Sequence, residues 1–163
     1  MHFTLYITAL LAPLATLAAP ASKDSSVTAL AERQTTFVKP PPCVRKNSIP
    51  RRQTKQRSKA FAHAFIYTQN ITEAFTYIVS DYINHNPLAQ NGSDSAWSIL
   101  SPIWASQNIT PLRTTFQDTQ SWLEYDNAAF GRVVDRFRWE GGCIVEHWDQ
   151  GEVFPSGKSS LHG

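Results

Sequence analysis

Val133-Val134-Asp135-Arg136-Phe137-Arg138-Trp139-Glu140-Gly141-Gly142-Cys143-Ile144-Val145-Glu146-His147-Trp148-Asp149 is the stretch on which the fold turns. Two runs rich in β-branched and aromatic residues flank a Gly-Gly pair, which predicts strands over 133–139 and 144–148 joined by a tight hairpin. Side chains alternate across a strand, so Val133, Asp135, Phe137 and Trp139 share a face. With either Gly141-Gly142 or Glu140-Gly141 as the central pair, Ile144, Glu146 and Trp148 join that same side. The other side then carries Arg132, Val134, Arg136 and Arg138 with Cys143, Val145, His147 and Asp149. The first face is apolar apart from two carboxylates and is expected to turn inward. The second is mostly charged and is expected to meet water.

Burying a carboxylate without a partner is costly, and the usual response is to hold its proton more tightly. Two such groups on neighbouring strands reinforce each other. An acid of this kind beside an apolar cleft can accept and return a proton near neutral pH. Asp135 and Glu146 are therefore the expected proton-transfer residues. His85, at the end of an extended segment before Asn86-Pro87, is a third candidate, as proton partner or hydrogen-bond donor. A purely structural role, bonded to backbone or to an indole N–H, is the competing reading for each of the three.

Upstream of the hairpin the period of two continues. Leu112, Thr114 and Phe116 alternate with polar residues, Asp118-Thr119 marks a turn, and Trp122, Leu123 and Tyr125 make another strand. Before Thr110 the period is helical. Phe61, Ala64, Phe65 and Thr68 predict a first helix of about four turns. Asn70 with Glu73 reads as a capped start, and Ile71, Ala74, Phe75, Ile78, Val79 and Tyr82 extend a second helix. Ser93 or Asp94 begins a third, with Trp97, Leu100 and Trp104 on one stripe, and Pro102 should kink or end it. Helices followed by antiparallel strands mean an α+β layer rather than alternating βαβ units.

The chain has 163 residues, room for one domain. Its charge of +2 is split. Residues 22–59 hold ten Lys and Arg against two acids, while 60–163 hold five against eleven. Residues 1–21 read as a signal peptide: an apolar run from Leu5 to Leu17, too short to span a bilayer, ends in Ala19-Pro20-Ala21. Residues 22–56, with Pro40-Pro41-Pro42 and many Ser and Thr, read as a basic disordered arm or pro-segment. Arg51-Arg52 in it resembles a dibasic processing site, or is a chance pair. Residues 57–154 form the domain and 155–163 a flexible tail. Three sequons, at Asn70, Asn91 and Asn108, fit a secreted glycoprotein. Cys43 and Cys143 either pair, tying the arm to the domain, or remain one buried and one free thiol. Secretion to the extracellular space is the expected localisation, with no nucleic-acid partner and no membrane contact after signal removal.

With these residues in view, a family resemblance emerges. Tyr82-Ile83-Asn84-His85-Asn86-Pro87, Val133-Val134-Asp135-Arg136-Phe137-Arg138 and Ile144-Val145-Glu146-His147-Trp148-Asp149 are similar, in that order, to three sequence elements of SnoaL-like proteins of the NTF2-like superfamily. The likeness covers roughly residues 57–154. It implies an α+β cone, with N-terminal helices packed on a strongly curved, mostly antiparallel sheet around one apolar pocket. Polyketide cyclases of that family close rings by aldol chemistry without metal or nucleotide, and an Asp in the pocket does the acid–base work. Asp135 stands at that position. Relatives also include isomerases, and members that only bind; many are dimers through the open sheet face, so a homodimer is expected here. The acidic strand around Glu124 and Asp126, and Cys143 where a Lys is common, depart from the family pattern and leave the substrate open.

No metal or nucleotide motif is present: HExxH, G-x-G-x-x-G, Walker loop and G-x-S-x-G elbow are all missing. Glu146 and His147 point to opposite faces of one strand and would not share an ion, so no metal or cofactor is expected. The expected function is that of a cofactor-free acid–base lyase or isomerase acting on a small apolar carbonyl compound. Asp135, His85 and Glu146 would act on it, and Tyr82, Phe137, Trp139, Trp148 and Trp122 would wall the pocket. The alternative is a secreted, non-catalytic binding protein with the same pocket.

Overall fold

A computed structural model describes residues 37–156. The expected signal peptide, the first part of the basic arm and the end of the tail lie outside the described residues. From Pro50, whose ring presets φ, helix α1 runs Arg51–Ala62 and buries Thr54, Ser58, Phe61 and Ala62 along one stripe. It widens into a π-helical turn over His63–Tyr67, where Thr68 N–H reaches back to the His63 carbonyl at 2.9 Å. That wider turn lets Ala64, Phe65 and Ile66 all be buried in succession. The helix of about four turns is present, and it begins at Arg51, inside the segment read as a disordered arm.

Asn70 caps α2, Ile71–Phe75, its side chain accepting from Glu73 N–H at 3.1 Å. Here the structure departs from expectation. The helix expected to continue through Tyr82 stops at Phe75, and Ile78–Asn84 is strand β1. Its β-branched and aromatic content suits a strand, and its partner is distant in sequence. β1 pairs in parallel with β5, Cys143–Trp148, and five residues of β1 span two of β5 between Ile78 and Ile83. This irregularity buries Ile78, Val79 and Tyr82 while exposing Ser80 and Asp81. The burial spacing thus imitates a helical stripe.

Helix α3, Ser93–Leu100, ends ahead of Pro102, and Trp104 sits in a short 3₁₀ turn. Strands β2 (Ile109–Gln117), β3 (Gln120–Asn127), β4 (Gly131–Glu140) and β5 then form an antiparallel meander. The sheet order is β1-β5-β4-β3-β2, antiparallel except at β1. The helices cover one face, and an aromatic core fills the interval. Phe61 meets Phe137 edge-on at 4.8 Å, Phe65 stacks on Trp104 at 4.2 Å, and the Trp104 indole donates to the Phe65 carbonyl.

The arm expected to be disordered to residue 56 is pinned from Lys39 onward. Cys43 N–H bonds to the Ile78 carbonyl and Lys46 N–H to that of Gly141. Cys43 and Cys143 form a disulfide. Arg45 pairs with Asp81, Lys39 with Asp94, and the Arg57 guanidinium lies 4.9 Å from the Tyr77 ring. Lys39 and Arg45 of the arm therefore meet acids that the domain supplies. Composition alone could not reveal these long-range partners.

Candidate functional site

The β4–β5 hairpin turns on Gly141-Gly142, both with positive φ, and Glu140 pairs with Cys143 and Trp139 with Ile144. The next pair is Arg138 with Glu146, so Val145 is an extra residue on β5. A one-residue bulge reverses the face of everything beyond it. His147 consequently lies opposite Phe137 on the inner face, and Glu146 and Trp148 join Arg138 and Arg136 on the outer one.

This corrects the expected site. Glu146 does not accompany Asp135. It accepts from Arg138 Nε at 2.6 Å and meets His85 Nε2 at 2.7 Å. Burial opposes its ionisation, but the bonds from His85 and Arg138 prevail and hold its carboxyl below the usual range. His85 is also outside the core, stacked on Trp148 with ring centres 4.6 Å apart. Trp148 carries the Arg136 guanidinium at 4.0 Å, and Trp122 is the cross-strand partner of Arg136, so neither indole walls an inner pocket. Tyr82, Phe137 and Trp139 do lie inside, all buried.

Asp135 is 4% exposed and keeps two partners. Tyr125 on β3 donates its O–H to Oδ2 at 2.9 Å, and His147 Nε2 meets Oδ1 at 2.9 Å. His147 Nδ1 lies 3.2 Å from Asn84 Oδ1, because the parallel pairing of β1 with β5 sets Asn84 beside His147. Asn84 Oδ1 also accepts from Asn86 N–H, which identifies it as the carbonyl end of the amide. His147 therefore bridges Asn84 and Asp135 through its two ring nitrogens.

The surroundings reinforce this. The rings of Phe137 and Tyr82 stack against His147 at 4.8 Å and 6.3 Å. Burial above all, then the charge of Asp135, pushes the phenols of Tyr125 and Tyr82 well up, so both stay protonated donors. The His147 side chain is 12% exposed against 5% for Asp135, so solvent approaches from the imidazole side. Asp149 also lies there, held by Asn86 Nδ2 at 2.5 Å. Ligand atoms of Asp135, His147 and Asp149 fall within 4.8 Å of one another. Sequence reasoning missed His147, Tyr125, Asn84 and Asp149; the motifs contain three of them, but the bulge that turns His147 inward leaves no signature.

Both carboxylate oxygens of Asp135 are thus engaged by protein groups. Between α1 and the β2–β3 hairpin lies only a narrow crevice, lined by Lys55, Lys59, Phe116, Ser121 and Leu123.

Comparison with solved structures gives the architecture a context. An NTF-2 like protein of unknown function from Burkholderia xenovorans aligns over 65% of this chain and 88% of its own, at 13% identity and a TM-score of 0.51. This chain has the NTF2-like fold. A SnoaL-like protein of unknown function from Burkholderia thailandensis aligns over 63% of this chain and 98% of its own, at 12% identity and TM-score 0.49. A putative ketosteroid isomerase from Kribbella flavida aligns over 65% and 84%, at 12% identity and TM-score 0.49. No family model and no curated protein matches the sequence. The NTF2-like fold by itself leaves the activity to be argued from the site.

Proposed function

We propose that this NTF2-like chain is a cofactor-free acid–base lyase or isomerase for a small carbonyl compound, with Asp135 as the base. The observation that carries the reading is the buried chain Asn84–His147–Asp135–Tyr125. A carboxylate has about four lone-pair sites, and His147 and Tyr125 occupy two. A spare lone pair takes the proton α to the substrate carbonyl. Tyr125 O–H turns from Asp135 to the developing enolate oxygen, and Asp135 returns the proton at the product carbon. The ligand enters from the partly exposed His147 side and displaces neither the disulfide nor the helices.

The test is deuterium incorporation into a panel of small ketones and β-diketones in D2O. The wild-type chain should exchange at least one of them about a hundredfold faster than Asp135→Asn. Exchange no faster than buffer across the panel would overturn the catalytic reading. It would leave the second one, a secreted non-catalytic binding protein, which the 4% exposure of Asp135 favours. Under either reading the chain works outside the cell, which the Cys43–Cys143 disulfide and the exposed sequon residues Asn70, Asn91 and Asn108 support.

A further inference from the structure

We propose that the chain's own C-terminal segment, residues 152–155, is the partner of the outer sheet face and keeps the chain monomeric. This does not rest on the proposed chemistry, because Asp135 belongs to the inner face. After β5 the chain turns back on itself. Glu152 N–H bonds to the Asp149 carbonyl at 3.2 Å, and Gly151 takes φ +79°. The segment that follows alternates. Val153 is exposed, whereas Phe154 is buried and the Glu152 side chain is mostly covered. Glu152 and Phe154 therefore face the sheet, and Val153 faces water.

Both inward side chains meet arginines of the outer face. Glu152 Oε1 lies 2.8 Å from Arg136 Nη2 on β4, and the Arg113 guanidinium of β2 lies over the Phe154 ring at 4.1 Å. The segment thus reaches from β4 to β2, two strand spacings or about 10 Å. Arg136 is also stacked on Trp148, and its Nε is shut away from water. Arg113 pairs with Glu124, whose other cross-strand neighbour is Val134. Glu124 and Val134 are both buried, although they point away from the helices. A bare outer face would leave them wet, so their burial falls to the segment and to the long side chains it holds down. The dimer expected through the open sheet face therefore finds the central strands already taken. A second copy would have to break the Glu152–Arg136 pair and lift Phe154 away before it could dock.

The test is sedimentation equilibrium on the full chain. Wild type should have the mass of one chain at about 100 μM. The double variant Glu152→Gln with Phe154→Ala uncovers the apolar surface around Trp122 and Val134. It should self-associate at least about tenfold more tightly than wild type. Val153→Ala, on the solvent side of the segment, should stay monomeric. Hydroxyl-radical labelling read by mass spectrometry locates the change: in dilute solution Val134 should be labelled severalfold more in the double variant than in wild type. The wild-type mass decides even if circular dichroism shows the double variant unfolded. The proposal fails if wild type sediments as a dimer, if the folded double variant stays monomeric, or if Val134 is labelled equally in the two chains.

Discussion

Asp135 and Glu146 are both acids on adjacent strands, yet their surroundings set them to different tasks. Asp135 is held by a phenol and an imidazole inside the core, Glu146 by Arg138 and His85 at the outer face. Tyr125→Phe removes the donor to Asp135 Oδ2 and leaves a buried oxygen unpaired. It should cost about 1–3 kcal/mol, read from urea unfolding. Glu146 behaves differently because its folded-state carboxyl is held below the ordinary glutamate range. A depressed acid contributes stability above its unfolded-state value and loses it as pH falls through the folded-state value. Wild type should therefore lose more stability than Glu146→Gln when thermal melts are taken from neutral pH down through the glutamate range. Equal losses would show that the Arg138 and His85 bonds are not maintained in solution. Asp135 was legible as an inward acid because its strand alternates regularly. His147 was not, because its direction depends on a single extra residue.

That extra residue belongs to the scale of elements. Val145 is buried like its neighbour Ile144, so the bulge keeps two consecutive side chains in the core before releasing Glu146 to the outer face. Alternation counts assume a regular ladder, and a bulge breaks the count without altering composition. The β1 error has the same origin: an irregular register gave an apolar spacing that a helix would share. Turn chemistry, by contrast, was readable. Gly141 has φ +57°, and a Cβ there would lie 2.8 Å from backbone atoms of Lys46. Gly141→Ala should thus destabilise by about 2 kcal/mol through positive φ and crowding together, measured as a lower denaturation midpoint. Gly131→Ala, also at positive φ but in open space, should cost less. Arg51-Arg52 lies in the first turn of α1 rather than in an extended loop, which hinders cleavage there by a processing protease.

Across the whole molecule the segment 37–50 is the piece whose place depends most on distant residues. Its disulfide bridges a sequence separation of 100, and loops of that length bring about 4–5 kcal/mol of unfolded-state constraint. Cys43→Ala with Cys143→Ala, or reduction of the wild type, should lower stability by about 3–5 kcal/mol. Hydrogen exchange should show Cys43 and Lys46 amides opening first, because their bonds to Ile78 and Gly141 rely on that tether. Unchanged protection after reduction would mean that the ion pairs of Arg45 and Lys39 hold the segment unaided.

The sequence alone determined the α+β class, the hairpin at Gly141-Gly142, the antiparallel strands from residue 109 onward and the inward placement of Asp135. These follow from periodicity and turn residues, which act over a few positions along the chain. Only the tertiary structure decided that 78–84 is a parallel strand, that the basic arm is strapped to the sheet, and that His147 rather than Glu146 meets Asp135. The first two depend on pairing between segments from about 35 to 100 residues apart, the third on a bulge in the register of β4 and β5. Their energies come from partners and registers that local patterns of side chains do not encode.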